Sequence, residues 1–416
     1  MTFKIADTRR CLLLLCFAFL CHTPAKSQEA PPPLGDTTIL KQAWTTTPDN
    51  KNSPTPQFVF LTPNKKFSLQ IAGHLNVTAN YDFNGFVHGP DFIPTLIETP
   101  NSTIKDGQLN LDIKTSRLSF RVIDYNLNGK NLEAYFETDF RGANKTLRIR
   151  RGFISYAGFL VGQEWTTMMD LDAFPNMINF QGPNAAFANW PIMIRYTHRL
   201  TDNLEGCIAL EEPYFSLNQD GLNSRFISKP QTLPNIPVYI QYAKNGNHLR
   251  LTGLFNPMSY HNQDINKNYN AYGWTVQLSG LAKFTSKFTA SFNALYGKGV
   301  ANLTQDFYDL GYNLIPNTSN PNLLKPLPML SAYGVLSYSI RPNLSITGGY
   351  SFVKFDHNDA SYEKWYKKGE MIWGTIFWNP IEYFQVGLEY TWGQRINVNK
   401  DNGSANRIAA MIQYNF

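Results

Sequence analysis

The sequence predicts an all-β fold: a transmembrane antiparallel β-barrel of about 16 strands, with one loop folded into its lumen. Three observations predict it. From Phe67 onward the chain is a succession of short runs in which apolar and polar residues alternate. The connections between these runs alternate between long and short. The last run, Asn406 to Phe416, keeps Ile408, Ala410, Ile412, Tyr414 and Phe416 on one face and Arg407, Ala409, Met411, Gln413 and Asn415 on the other. It ends on an aromatic, as a strand would that closes against the first one with its outer face in lipid. The terminal strand of a soluble β-protein would share that last feature alone.

The chain opens with Lys4, Arg9 and Arg10 ahead of a compact apolar run, Cys11 to Cys21, followed by small residues at Ala25 and Ser27. This is the pattern of a secretory signal peptide, residues 1–27, cleaved after Ser27. The run is too short to cross a bilayer as a helix. Cys21 invites a lipoprotein reading, but Phe19 and Leu20 stand where small residues precede a lipidated cysteine. Residues 28–66 read as a periplasmic linker rich in Pro and Thr, with Pro31-Pro32-Pro33, Thr45-Thr46-Thr47, Pro54 and Pro56. The barrel takes residues 67–416.

Composition sets limits on function. Removing residues 1–27 takes away Lys4, Arg9, Arg10 and Lys26 against Asp7, which lowers the formal net charge from +6 to +3. That is close to neutral, so no nucleic-acid partner is implied. Of the 4 cysteines only Cys207 lies beyond the leader, which leaves no internal disulfide and no thiolate metal site. No later stretch approaches the roughly 18 consecutive apolar residues of a helical span. Aromatic residues make up 14% of the chain, and the mean hydropathy is negative. A barrel with one polar and one apolar face has this composition; so does a large soluble sandwich or solenoid.

In chain order the alternation predicts strands at 67–81, 109–122, 131–140, 147–157, 159–164, 192–200, 204–210 and 238–244, then at 248–255, 271–283, 288–297, 330–340, 344–355, 370–378, 383–394 and 406–416. The short connections are built from turn formers: Asp124 to Lys130, Thr201-Asp202-Asn203, Asn245-Gly246-Asn247, Thr285-Ser286-Lys287 and Arg341-Pro342-Asn343. Long connections alternate with them at 82–108, 165–191, 211–237, 256–270, 298–329, 356–369 and 395–405. With a periplasmic N-terminus, every short turn falls on the periplasmic side and most long loops fall outside. A soluble sandwich has no reason to sort its loops this way. An even strand count closes the cylinder and leaves no edge exposed.

Alternation also assigns faces. Leu118, Phe120 and Val122 face lipid, so Arg117, Ser119 and Arg121 face the lumen. Leu147 and Ile149 face out, so Arg148 and Arg150 face in. In 131–140, Leu132, Ala134, Phe136 and Phe140 lie outside while Glu133, Tyr135, Glu137 and Asp139 lie inside. In 193–199, Ile194 and Tyr196 lie outside while Arg195, Thr197 and Arg199 lie inside. An arginine turned to lipid would cost roughly 2–4 kcal/mol at mid-depth, which favours this assignment. Two readings of the resulting wall stand together. The arginines and acids form cross-strand ion pairs that stiffen it, or the excess of Arg makes a cationic surface that attracts anionic solutes. The expected pore-lining residues are Arg117, Arg121, Arg148, Arg150, Arg151 and Arg195, with Glu133, Glu137 and Asp139 beside them.

The connection from Trp165 to Pro191 is mostly apolar and uncharged. Such a loop is better accommodated inside a wide barrel, packed on the wall and narrowing the bore, than lying over the rim. Its residues expected at a constriction are Trp165, Asp170, Asp172 and Phe180.

The run Leu160-Val161-Gly162-Gln163-Glu164-Trp165-Thr166-Thr167-Met168-Met169-Asp170, followed by Asp172, Ala173, Pro175, Phe180, Gly182 and Pro183, resembles the signature of the DcaP-like outer-membrane porins. Leu147-Arg148-Ile149-Arg150-Arg151-Gly152-Phe153-Ile154, Ser116-Arg117-Leu118-Ser119-Phe120-Arg121 and Tyr81-Asp82-Phe83 resemble the same family. The likeness covers residues 67–200 well and the remainder by barrel pattern. It implies a homotrimeric, Gram-negative outer-membrane porin without cofactor or metal. Such a porin passes small anionic, dicarboxylate-like solutes through a basic constriction. Arg117, Arg121, Arg148 and Arg150 match the family's basic strands. Members often carry a helical N-terminal extension able to form a coiled coil; residues 28–57 depart from this, having no heptads.

Other signals are weak. The 7 histidines show no metal-binding spacing on a helix, and His74 shares the inward parity of Ser68, Gln70 and Asn76. There is no GxSxG and no phosphate-cradling glycine loop. An outer-membrane esterase or phospholipase would need a Ser–His pair near the rim on the lipid side. His198 has that parity but no evident serine neighbour. The chain is too short for the roughly 22 strands of an active transporter and has no plug domain. A structural or adhesive barrel, plugged by its own loops, is the alternative to a channel.

Overall fold

The computed structural model describes residues 58–84, 89–100, 107–217, 225–357 and 363–416. The predicted leader, 1–27, and the linker as far as residue 57 lie outside them. The alternating runs form strands β1 (Phe58–Leu61), β2 (Phe67–Asn84), β3 (Gln108–Asp112), β4 (Arg117–Leu127), β5 (Lys130–Asp139), β6 (Arg148–Tyr156) and β7 (Phe159–Gln163). There follow β8 (Ile192–Arg199), β9 (Leu204–Glu211), β10 (Phe226–Ser228), β11 (Ile236–Lys244), β12 (Asn247–Asn262), β13 (Lys267–Lys283) and β14 (Phe288–Lys298). The last are β15 (Leu314–Asn317), β16 (Asn320–Pro326), β17 (Pro328–Arg341), β18 (Leu344–Phe355), β19 (Tyr366–Ile381), β20 (Phe384–Asn397) and β21 (Asn402–Asn415).

The wall is a closed antiparallel barrel of 16 strand positions. β3 and β4 share one position, because both pair with β2 on either side of a turn at Ile113–Ser116. β21 closes on β2 with Val77 opposite Ile412 and His74 opposite Asn415. Gly73 and Phe416 then exchange backbone hydrogen bonds of 2.8 and 2.9 Å. Below that point β1 pairs with Ser68–Ile71 and covers the edge of β2 that β21 leaves. The apolar run Phe58-Val59-Phe60-Leu61 makes this possible, directly after the prolines that gave the segment the look of a linker.

Face assignment follows parity. Phe120, Val122, Ile149, Ile154, Leu388 and Ile412 stand exposed on the outside, while Arg121, Glu137, Asp139, Arg150 and Arg407 are buried inside. A continuous exposed apolar belt of this kind is a lipid-facing surface. The short connections collect at one end. At Asn128-Gly129 and Asn245-Gly246 both residues have positive φ (52 and 79°, 54 and 74°), the geometry that two-residue hairpins select.

Two predicted loops are shorter than expected. β12 and β13 continue to Asn262 opposite Lys267, and β20 and β21 to Ile396 opposite Asn402. Only residues 263–266 and 398–401 connect these pairs, in place of loops at 256–270 and 395–405. The tips of the extensions are polar, as in His261, Asn262, Asn268 and Asn270, and the apolar Met258 and Tyr260 of β12 turn inward to a packed cluster rather than outward to lipid. Residues 299–327 fold into two 3₁₀ turns, Ala301–Leu303 and Gln305–Phe307, and the hairpin β15–β16.

The apolar core sits within the lumen, against the wall from β12 to β21. Met329, Tyr333, Val353, Phe355, Met371 and Trp373 point inward there. They pack on Phe92 and Ile97, on Phe187, and on Val300, Leu303 and Phe307, which three inward-folded loops contribute.

Candidate functional site

The other side of the lumen is charged. Strict alternation would send Arg148 and Arg150 inward but Arg151 to lipid. A bulge changes this. Glu137 pairs with Arg151 and Thr138 with Ile149, leaving Arg150 as the extra residue. All three guanidinium groups therefore turn to the lumen; Arg150 and Arg151 are buried and Arg148 is half-buried.

Asp139, Glu137, Glu164 and Glu133 on this wall each meet an arginine. Arg148 donates to both oxygens of Asp139, from Nε at 3.0 Å and Nη2 at 2.6 Å. Arg150 donates to Glu137 at 2.7 Å and to Asp139 at 3.3 Å. Arg151 grips Glu164 with two bonds of 2.7 and 2.6 Å. Arg121 lies 3.1 Å from Glu133. Arg117 stands opposite Asp139 in the β4–β5 ladder, and Arg195 donates to the Trp165 carbonyl at 3.4 Å. Paired charges in these surroundings hold one another in fixed positions, since removing either leaves the other buried and uncompensated.

Residues 164–191 cross the lumen, and the wall holds them at successive points. Glu211, at the end of β9, accepts from the Thr166 hydroxyl at 2.7 Å and the Thr167 N–H at 2.6 Å. On β13, Gln277 donates to the Met168 carbonyl at 2.7 Å and Ser279 donates to Asp170 at 2.6 Å. His248 of β12 lies 2.8 Å from the same Asp170 oxygen. Burial alone would raise the Asp170 carboxyl. The bonds from His248 and Ser279, with the field of Arg250, outweigh it and hold the group well below the usual carboxylate range. Further along, Ser291 of β14 donates to the Ala173 carbonyl at 2.8 Å. Glu389 of β20 accepts the Ile178 and Asn179 N–H groups at 2.7 and 3.0 Å. These bonds satisfy backbone groups that a water-poor interior would otherwise leave unpaired.

The returning loop lays aromatic rings over the arginines. Arg150 sits 4.6 Å from the Trp190 ring and 5.3 Å from Phe180. Arg148 sits 5.2 Å from Trp190, and Arg141 4.3 Å from Phe180. Trp165 packs on Trp190 with ring centres 4.8 Å apart. Cation–π contact orients a guanidinium group without neutralising it.

Arg117, Arg148 and Arg150, with Trp165, Phe180 and Trp190, line an outer chamber of ≈ 570 Å³. Tyr308 and Gln305 of the 299–327 segment line it as well. Three of the six arginines singled out from the sequence thus meet around one space. Arg121 and Arg151 are set back in the wall, each 5.3 and 4.7 Å from the Tyr135 ring respectively, and Arg195 is half-buried at β8. Glu133, Glu137 and Asp139 serve as partners of arginines. Of the loop residues, Trp165 and Phe180 face the chamber, Asp170 is fully buried against β12 and β13, and Asp172 lines a second cavity of ≈ 330 Å³ beneath the loop. Sequence reasoning missed Arg141, which pairs with Asp91 and lies 3.7 Å from Asp112. It continues the inward series Glu137, Asp139, Arg141 two residues past the strand end, so parity carried further would have found it. Trp190 carried the signal of its own loop, and Tyr308 carried none.

A family model described as DcaP outer membrane protein matches residues 41–302. No curated protein matches the sequence. Among solved structures, the outer membrane channel DcaP of Acinetobacter baumannii is 20% identical, with 86% of this chain and 99% of that one covered, at a TM-score of 0.72. The trimer form of OmpT, an outer membrane protein of Vibrio cholerae, is 12% identical over 84% and 99%, at 0.54. Salmonella typhi OmpF, in a complex with daunomycin, is 11% identical over 86% and 100%, at 0.53. At these identities the likeness is one of fold.

Proposed function

The chain belongs to the DcaP outer membrane protein family, and on that premise we propose that it is a passive channel of the Gram-negative outer membrane for small hydrophilic anions of the dicarboxylate type. One observation carries this reading. Arg117, Arg148 and Arg150 surround a ≈ 570 Å³ space just where the inserted loop narrows the lumen. Guanidinium forks spaced around a cavity suit a ligand with two carboxylates, each able to accept paired N–H bonds. Of these, Arg148 has 32% of its side chain exposed. The aromatic rings keep these cations aimed without cancelling their charge. The reading includes a leader at 1–27 removed on export, a periplasmic segment at 28–66, a lipid-embedded barrel at 67–416, and a homotrimer. The trimer is supported by the likeness to the trimer form of OmpT. No catalytic step is part of it.

A second reading has its own support. The packed loops against β17–β20 fill much of the outer half of the lumen, as they would in a structural barrel that conducts nothing. Purified protein in a planar bilayer separates the two. The channel reading expects conductance steps, grouped in threes, and a reversal potential under a salt gradient displaced toward the anion. A cation-selective protein would remove the solute assignment, and a silent one would favour the plugged barrel.

A further inference from the structure

The inserted loop divides the lumen unevenly. Beneath the outer chamber lies a cavity of ≈ 190 Å³, and the vestibule of ≈ 330 Å³ opens beyond it. Phe174 and Asn176 line all three spaces. Arg117 and Phe180 are common to the outer chamber and the small cavity; Pro175 and Gln385 are common to the small cavity and the vestibule. The small cavity therefore shares walls with both of the others and is the smallest of the three.

Its position follows from how the loop is held. Hydrogen bonds fasten it to β13 at Asp170, to β14 at Ala173 and to β20 at Ile178. Between the last two fastenings, exposed Asn176 reaches into the lumen. Facing it is the seam where the first and last wall strands meet, with Asn76 opposite Gln413. The seam amides are set in place. Asn76 donates to Gln413 at 2.9 Å, Gln413 donates to Asn415 at 2.8 Å, and Thr115 donates to Asn76 at 2.9 Å. Side chains already fixed by hydrogen bonds lose little further freedom when a solute arrives.

We infer that solutes pass the loop along this seam, through the gap between Asn176 and Gln413, with Arg117 at its upper mouth. This route rests on the channel reading and adds the residues that decide what fits. The outer chamber offers three guanidinium groups and the gap only Arg117. A dicarboxylate then goes through end-on. Its leading carboxylate passes from Arg117 to neutral amides, which bind weakly enough to release it to the vestibule. A branched or bulky anion can occupy the chamber without leaving it.

The test uses the full-length protein with Cys207→Ser, so that one introduced thiol is the target. Gln413→Cys is treated with 2-sulfonatoethyl methanethiosulfonate while single channels are recorded. The expected result is a conductance reduced to roughly half or less, since the added group occupies the gap through which solutes pass, and slower labelling when succinate is present. Asn176→Cys approaches the gap from the loop side and is expected to behave alike, which covers a seam variant that fails to fold. Asn293→Cys, buried on β14 behind the loop, is expected to leave conductance unchanged. Complete labelling at both 413 and 176 without loss of conductance would overturn the route, as would a block from position 293. An unlabelled parent that conducts nothing would overturn the channel reading itself, and this route with it.

Discussion

The β4–β8 wall and the β17–β20 wall obey the same alternation, yet their inner faces do opposite things. On the first, paired Arg, Glu and Asp dominate the inward positions, beside a small apolar cluster of Tyr135, Phe153, Leu160 and Met193, and the lumen next to Arg148 stays open. On the second, inward positions are Met329, Tyr333, Val353, Phe355, Met371 and Trp373, and loops collapse onto them. The barrel closes by backbone pairing either way. What differs is whether the inner side chains prefer water or each other. A charged wall takes aromatic rings in cation–π contact but resists a fully apolar cover, which would desolvate the ions. An apolar wall draws loops inward until no water remains. One side of the cylinder thus becomes a passage and the other a core.

The largest effects should come from breaking each half by its own principle. Phe307 meets Tyr366, Phe355 and Tyr312 with ring centres 4.7, 4.8 and 5.3 Å away. Phe307→Ala should cost about 3–5 kcal/mol in the packed half. It should also raise conductance, because the 299–327 segment loses its main hold. The urea midpoint of the folded barrel in micelles reads the first and single-channel recording the second. On the charged half, Glu137→Ala removes the partner of Arg150 and should cost about as much, ~3–5 kcal/mol. A neutral Glu137→Ala would mean that water reaches these arginines freely, and the contrast between the halves would fail.

A smaller and more selective effect should separate arginines within the charged half. Arg150 is 1% exposed in its side chain, whereas Arg148 is 32% exposed. Arg148→Ala should therefore cost less than Glu137→Ala, because Arg150 still donates to the buried Asp139. It should still move the reversal potential toward zero, because it removes a cation from the chamber wall. Arg150→Ala should shift the potential too, but only along with a measurable loss of stability. Equal stability loss from both substitutions would show that exposure does not sort their roles.

Much of this contrast was legible in the sequence, and the part that was not has a physical cause. All 16 wall positions correspond to predicted runs, because the period of two is imposed by the pleat itself. The charged face was legible too, since arginine has only one tolerable side in a membrane strand. The packed half left a signal that went unread. In β19, Ile372, Ile376 and Trp378 are exposed while Met371, Trp373 and Phe377 are buried. Apolar residues at both parities mean that the inner face meets packed protein rather than water, as in strands covered on both sides. Arg151 was expected at the pore although strict parity turns it to lipid; the bulge that brings it inward shifts parity by one residue and leaves no mark in composition. The meeting of Asn76 with Gln413 depends on barrel closure, a contact between the two ends of the wall that no local pattern encodes.

The smallest expected effect, a response to pH, is confined to the packed half. Asp306 is buried and accepts the Thr95 N–H at 3.1 Å and the Tyr366 hydroxyl at 3.0 Å. Burial pushes its carboxyl up to about 6, and the bonds from Thr95 and Tyr366 offset this only in part. Arg395 is close by, donating to the Thr95 carbonyl at 2.6 Å. The folded value lies above the ordinary 3.8. The stability this group contributes is therefore fully present below the ordinary value and is lost as the pH rises through about 6. Acidification from neutral pH should tighten the attachment of the 299–327 segment to Thr95 and β19. Hydrogen exchange at the Thr95 amide, corrected for its intrinsic pH dependence, should slow accordingly, and Asp306→Asn should remove the dependence. On the channel reading, the anion preference set at the opposite wall should hold steady while the packed half tightens. A selectivity that changed in step with Thr95 protection would mean that the two halves are coupled, and that the passage is shaped in part by the core across from it.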